Sequence, residues 1–162
     1  MRAVVLADTH VRASGSTRLP DAVFDALERA DVVLHAGDVV APEVLDELAR
    51  YAPVHAVLGN NDIELTRLLP ETRVVDLDGV RVGMIHDSGA RAGRAGRMHR
   101  RFPDADVVVF GHSHQPMNER GVDGQLLFNP GSPTQRRMAP TRTYGVLEAR
   151  AGRLTRAEIV DL

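Results

Sequence analysis

Five short segments of this chain bring imidazole, carboxylate and amide groups together: Asp8-Thr9-His10, Gly37-Asp38, Gly59-Asn60-Asn61-Asp62, His86-Asp87 and Gly111-His112-Ser113-His114. Of the seven histidines, His10, His86, His112 and His114 fall in these segments. Such groups ligate cations. Imidazole, carboxylate and amide oxygen without thiolate suit Mn, Fe, Ni or Zn better than Ca or Mg. The candidate ligands are Asp8, His10, Asp38, Asn60, His86, His112 and His114. They are too many for one tetrahedral ion and match two ions sharing a bridging carboxylate. Two ions about 3.5–4 Å apart clamp the attacking and leaving oxygens of an in-line displacement at phosphorus. Singly, each segment has a plainer reading: a D-x-H is usually a turn, and G-N-N-D is loop-forming by propensity.

Their placement along the chain is what sets them apart. Five apolar, β-branched runs read as buried strands: Ala3 to Ala7, Val32 to Ala36, Val54 to Leu58, Val80 to Ile85 and Val107 to Phe110. Each is followed by one of the five segments, and ligands bind at that carboxyl edge in open α/β sheets. In an extended segment, residues two apart face the same side. The spacing therefore predicts that Asp8 and His10 share one centre, as do His112 and His114. Helical spacing with proline in the first turn marks Pro20 to Ala30 and Pro42 to Tyr51. Strand–helix alternation predicts an α/β fold with largely parallel strands. Hairpins at Arg73 to Ile85 and Thr143 to Leu162, the latter turning at Arg150-Ala151-Gly152, add a mixed sheet or a second packed sheet. No linker, low-complexity tract or repeat appears, and residues 1–162 read as one domain.

Composition narrows the chemistry. All 20 basic residues are arginine, 22 residues are acidic and the net charge is −2, so net charge does not favour nucleic acid or a membrane as a partner. Aromatic residues at 4% offer little stacking surface for a nucleic acid. The absence of lysine excludes a Schiff base and a Walker-type phosphate loop, and the absence of cysteine excludes thiol nucleophiles and disulfides. Ser132 lacks a G-x-S-x-G setting, and Asp8-Thr9-His10 lacks the second aspartate of phosphatases that form an aspartyl-phosphate. The N-terminus is charged too soon for a signal peptide and no apolar run spans a bilayer, which reads as a cytoplasmic protein. A homo-oligomer is left open. His35 and His55 lie inside strands and His99 on a helix, where packing is the simpler role. In Ser88 to Phe102, helical spacing places Arg91, Arg94, Arg97 and Arg101 on one face. A solvated arginine face is the plain reading. Its position after His86 also lets Arg91 contact a substrate phosphate, and Arg136 and Arg137 invite the same reading.

D-x-H, G-D, G-N-x-D, H and G-H-x-H, in this order, resemble the calcineurin-like metallophosphoesterases. The short chain and Asn129-Pro130-Gly131-Ser132 resemble the small YfcE-like phosphodiesterases. The resemblance implies a four-layer αββα sandwich of two mixed sheets with a dimetal site at the sheet edges. It implies Asp8, His10 and His114 on one metal, Asp38 bridging, and Asn60, His86 and His112 on the other. Mn is the first expectation, with Ni, Fe or Zn as alternatives. The implied reaction is hydrolysis of a small phosphodiester or nucleotide by a metal-bound hydroxide. Asn60, His86 and Asp62 are the implied catalytic residues, Asp62 by orienting a ligand or its loop. Asn61 stands where many members carry a leaving-group histidine. It can contact substrate by a hydrogen bond but cannot act as a general acid, which predicts a slower enzyme or one favouring aryl leaving groups. The alternative is a non-catalytic scaffold of the same fold, like the retromer scaffold subunit; the intact ligand set weighs against it.

Overall fold

The computed structural model describes residues 1–12 and 18–162. In chain order its elements are β1 (Arg2–Leu6), α1 (Asp21–Leu27), β2 (Val32–His35), α2 (Pro42–Ala49), β3 (Val54–Ala56), β4 (Thr72–Leu77), β5 (Val80–Ile85), α3 (Arg94–Arg101), β6 (Val107–Val109), β7 (Met117–Arg120), β8 (Leu126–Asn129), β9 (Thr143–Arg150) and β10 (Arg153–Asp161). Short 3₁₀ turns cover Ile63–Leu65 and Val122–Gly124. No helix among the described residues is long and apolar enough to cross a membrane.

The strands form two mixed five-stranded sheets, ordered β10-β9-β1-β2-β3 and β4-β5-β6-β8-β7. β1, β2 and β3 are mutually parallel, as are β5, β6 and β8. Alternation along β1 explains the layering. Ala3 and Val5 point between the sheets, against Val82, Val107 and Phe128, while Val4 and Leu6 meet Val23 and Leu27 of α1 and Leu48 of α2. Covered on both sides, β1 must be apolar throughout. On the far side, Met98 and Phe102 at α3 cover Val108 and Phe110. Helices, sheet, sheet and helix give the four-layer αββα sandwich that the resemblance implies.

The structure amends the sequence expectations in three places. The five apolar runs are strands, but β1, β2, β3 and β6 stop one or two residues short of the predicted ends. The chain therefore leaves the sheet before each ligand segment begins. The β7–β8 hairpin was not foreseen: β7 is an edge strand exposed at Asn118, Glu119 and Arg120, so it lacks the apolar signature of a buried strand. The stretch Ser88 to Phe102 is helical only over Arg94–Arg101, beginning after Gly93 at φ 71°. Its arginines are not a simple solvated face. Arg97 donates to the carbonyls of Ser88 (3.2 Å), Ala92 (2.8 Å) and Ala90, and Arg94 lies 5.0 Å over the Phe110 ring and donates to Gly89 O. Both pin the loop that follows His86.

Candidate metal centre

All five polar segments converge where the carboxyl ends of the parallel strands of both sheets meet. Asp8 and His10 follow β1, Asp38 follows β2, and Asn60 follows β3. His86 follows β5, and His112 and His114 follow β6. One half of the site holds Asp8, His10 and His114, and the other Asp8, Asp38 and His86, with the ligating atoms of each group within 4.8 Å of one another. Asp38 Oδ2 lies 3.5 Å from Nε2 of both His10 and His86, so a second carboxylate also spans the two halves. Asn60 Oδ1 lies 3.0 Å from His86 Nε2 and 3.0 Å from His112 Nδ1. The two imidazoles of Gly111–His114 thus serve different halves: His114 meets His10 and His112 meets His86.

The route to this arrangement differs from the extended alternation that the spacing predicts. Asp8 (φ 53°), His10 (45°), Asp38 (58°), His112 (69°) and His114 (57°) are all left-handed. Non-glycine residues are uncommon there, though Asp and His tolerate it better than most, and such strain persists only where the surroundings over-determine it. The surroundings do so. Asp8 N donates to Gly37 O (2.9 Å) and His10 N to Asp38 O (3.0 Å). Ser132 Oγ donates to Asp8 O (2.7 Å) and Thr134 Oγ1 to Thr9 O (2.7 Å), which gives the Asn-Pro-Gly-Ser segment its role as a brace. Two glycines allow the loops to close: a Cβ at Gly59 would fall 2.1 Å from Asp38 N, and one at Gly37 would fall 2.7 Å from His86 Nδ1.

Hydrogen bonds fix which nitrogen each histidine presents. His86 Nδ1 donates to Ala36 O (2.7 Å) and His114 Nδ1 to Gln135 O (2.7 Å). Each ring therefore commits Nδ1 to a carbonyl and turns Nε2 inward. The Nε2 atoms of His10 and His114 then lie 3.2 Å apart, and His86 Nε2 faces Asn60 Oδ1. Asp8 Oδ2 is buried with no partner. Burial, then Asp38, pushes the Asp8 carboxyl up to about 8, and burial lowers His114 to about 4. Burial also opposes ionisation of Asp38, but the Asn61 backbone amide, His86 and the Asn61 side chain hold it below the usual carboxylate range. Neutral imidazoles aimed at one another beside an unpartnered buried carboxylate oxygen fit a pair of divalent cations.

The other sequence candidates are placed as follows. Asn61 touches the site: its backbone N and Nδ2 donate to Asp38 Oδ1 (2.8 Å) and Oδ2 (2.7 Å). Asp62 is buried beneath it, its carboxylate accepting from the amides of Asp38 (2.9 Å), Val40 (2.7 Å) and Gly59 (2.7 Å). It orders the loops and touches no inward-facing ligand atom. Arg91 is not brought to the centre; it is exposed and faces Glu119 at 3.5 Å. His35 is wholly buried with its Nε2 at Thr9 Oγ1 (3.1 Å), and burial, then His86, depresses it to about 3. His55 meets Arg73 and His99 faces Asp123. Ser132 is committed to bracing Asp8. Residues whose role at the site escaped the sequence are Thr134 and Gln135. Gln135 acts through its carbonyl, which no side-chain motif advertises.

Residues 1–152 match the family model for the calcineurin-like phosphoesterase superfamily domain. A probable metallophosphoesterase of Methanothermobacter thermautotrophicus is 38% identical over 136 residues, covering 83% of this chain and 78% of that protein. Vps29 of Entamoeba histolytica, solved in complex with Zn²⁺, superposes with a TM-score of 0.80 at 27% identity over 99% of both chains. YfcE, a phosphoesterase from E. coli, superposes with a TM-score of 0.64 at 22% identity over 98% of both chains, a likeness of fold alone. This chain belongs to the calcineurin-like phosphoesterase superfamily, which supports a hydrolase of phosphoesters that uses divalent metal ions.

Proposed function

We propose that the protein is a dimetal phosphodiesterase, cytoplasmic, working on a small phosphodiester or nucleotide with two Mn²⁺ ions. The observation that carries this reading is the set of inward-facing ligand atoms at two carboxylate-linked halves of one site. Asp8, His10, Asp38 and His114 would hold one ion, and Asp38, Asn60, His86 and His112 the other. When bound, the ions supply Lewis acidity to the phosphoryl oxygens and activate the attacking water. The protein's own groups do the rest. Asn60 and His86 fix one side of the reacting position. Asn61 Nδ2 holds Asp38 and offers its second N–H toward substrate. Among the described residues no side chain is a ready proton donor at Asn61, so leaving groups that depart as stable anions suit this site best.

The test is hydrolysis of bis(p-nitrophenyl) phosphate and p-nitrophenyl phosphate by Mn²⁺-loaded protein. Wild type should turn over the diester, and His112→Ala should lose at least about 10²-fold in kcat/KM. Absence of turnover with both metal positions filled would overturn the reading.

A scaffold reading has one observation in its favour. Ile63 (82% exposed) and Met138 (86%) lie close in sequence to site residues, and Leu68 (68%) is exposed as well. Apolar side chains left in water suit a protein partner. A stoichiometric partner in a native pull-down, with no turnover, would favour it.

A further inference from the structure

We infer that the cleft beside the metal centre is a subsite for a second anion, so that the preferred substrate carries a phosphate in addition to the one under attack. The inference rests on the phosphoesterase reading and narrows its substrate class. The cleft, of about 440 Å³, is lined among others by His10, Arg12, Asn61, Ile63, Gln135 and Arg137. His10 and Asn61 both contact Asp38, so the cleft opens directly onto the reacting position. Among the described residues, its lining contains two guanidinium groups and no carboxylate.

Both arginines are tethered to the site's own loops. Arg137 Nη1 donates to His112 O at 3.3 Å, and its charge acts on Asp8, His10 and His114. Arg12 follows Val11, which bridges Val40 and so ties the segment after β1 to the Asp38 loop. Arg12 is exposed and makes no hydrogen bond or ion pair with a side chain among the described residues. Charge balance identifies what they await. With two divalent ions bound, their four positive charges would be offset by Asp8, Asp38, the attacking hydroxide and a diester phosphate. The two guanidinium charges lie outside that balance. A terminal phosphate brings about −1.5 to −2 charges and matches guanidinium forks in geometry. A simple diester leaves both arginines without a counter-charge.

The experiment is calorimetric titration of Mn²⁺-loaded protein with thymidine 3′,5′-bisphosphate and thymidine 5′-monophosphate. Wild type should bind the bisphosphate at least about 10-fold more tightly. In R12Q/R137Q that ratio should fall to within about twofold of unity. R12Q alone, at an exposed side chain, should lose part of it and covers the case in which the double variant does not fold. Equal affinities in wild type, or a ratio undiminished in the variants, would overturn the subsite. The readout is a binding ratio, so it stands apart from the diester assay, whose failure would instead remove the phosphoesterase reading.

Discussion

Asn61 gives both its backbone and side-chain donors to Asp38, and this contact explains what the residue does in place of an acid. It holds the shared carboxylate ionised and oriented, while proton donation is missing. Asn61→His should restore a donor near the leaving group, an effect worth about 10²–10⁴-fold where departure needs a proton. Across substituted aryl methyl phosphates, N61H should show a shallower dependence of kcat/KM on leaving-group pKa. An unchanged slope would argue against this assignment. Asp62 is a residue of the loop rather than of the chemistry. Asp62→Asn turns an amide N–H₂ toward backbone donors and should cost about 1–3 kcal/mol, read by urea unfolding. At this scale the sequence was highly legible, because imidazole and carboxylate types declare their chemistry. It was silent on Gln135 and Thr134, which act through a carbonyl and a brace, and on Arg12, which is distinguished only by where the chain carries it.

The strands and helices place these residues through their ends rather than their faces. Buried strands are legible as β-branched apolar runs, and α1 and α2 as periodic patterns opened by proline. The edge strand β7 was not, since an exposed strand carries no such pattern. The left-handed ligand loops were not legible either, because their conformation is imposed by contacts from Gly37, Ser132 and Thr134, remote in sequence. Gly59 is the tightest point of this arrangement. Gly59→Ala places a Cβ 2.1 Å from Asp38 N, so the Asp38 loop must move. The variant should lose at least about tenfold in Mn²⁺ affinity by calorimetry while keeping its far-UV circular dichroism, since the displaced atoms lie beyond the strand ends. Native affinity in G59A would show that the loop yields without moving the ligands.

For the molecule as a whole, the metal centre couples stability to pH. Asp8 is raised to about 8, so the stability due to its neutral form is complete below the ordinary carboxylate range and lost as pH rises through about 8. His114 and His35 are lowered to about 4 and about 3, and their contributions are already in place above the ordinary imidazole range. Between about pH 7 and pH 8.5, metal-free protein should therefore melt at falling temperature as Asp8 ionises. Cations need that carboxylate charged, so the rise in Tm on adding Mn²⁺ should be larger at the upper end. Thermal melts with and without Mn²⁺ check both; a Tm gain that shrinks with pH would contradict the assignment. The distribution of ligands has one further consequence. Four of them, Asp8, His10, Asp38 and Asn60, belong to one sheet, and His86, His112 and His114 to the other. Ions held between them would act as a cross-link in a chain that has no cysteine to form one. A covalent tie closing roughly a hundred residues is worth about 4.7 kcal/mol through the unfolded chain's lost entropy. A chelator would then lower the melting temperature of the metal-loaded protein, as a reductant does to a disulfide-stapled one.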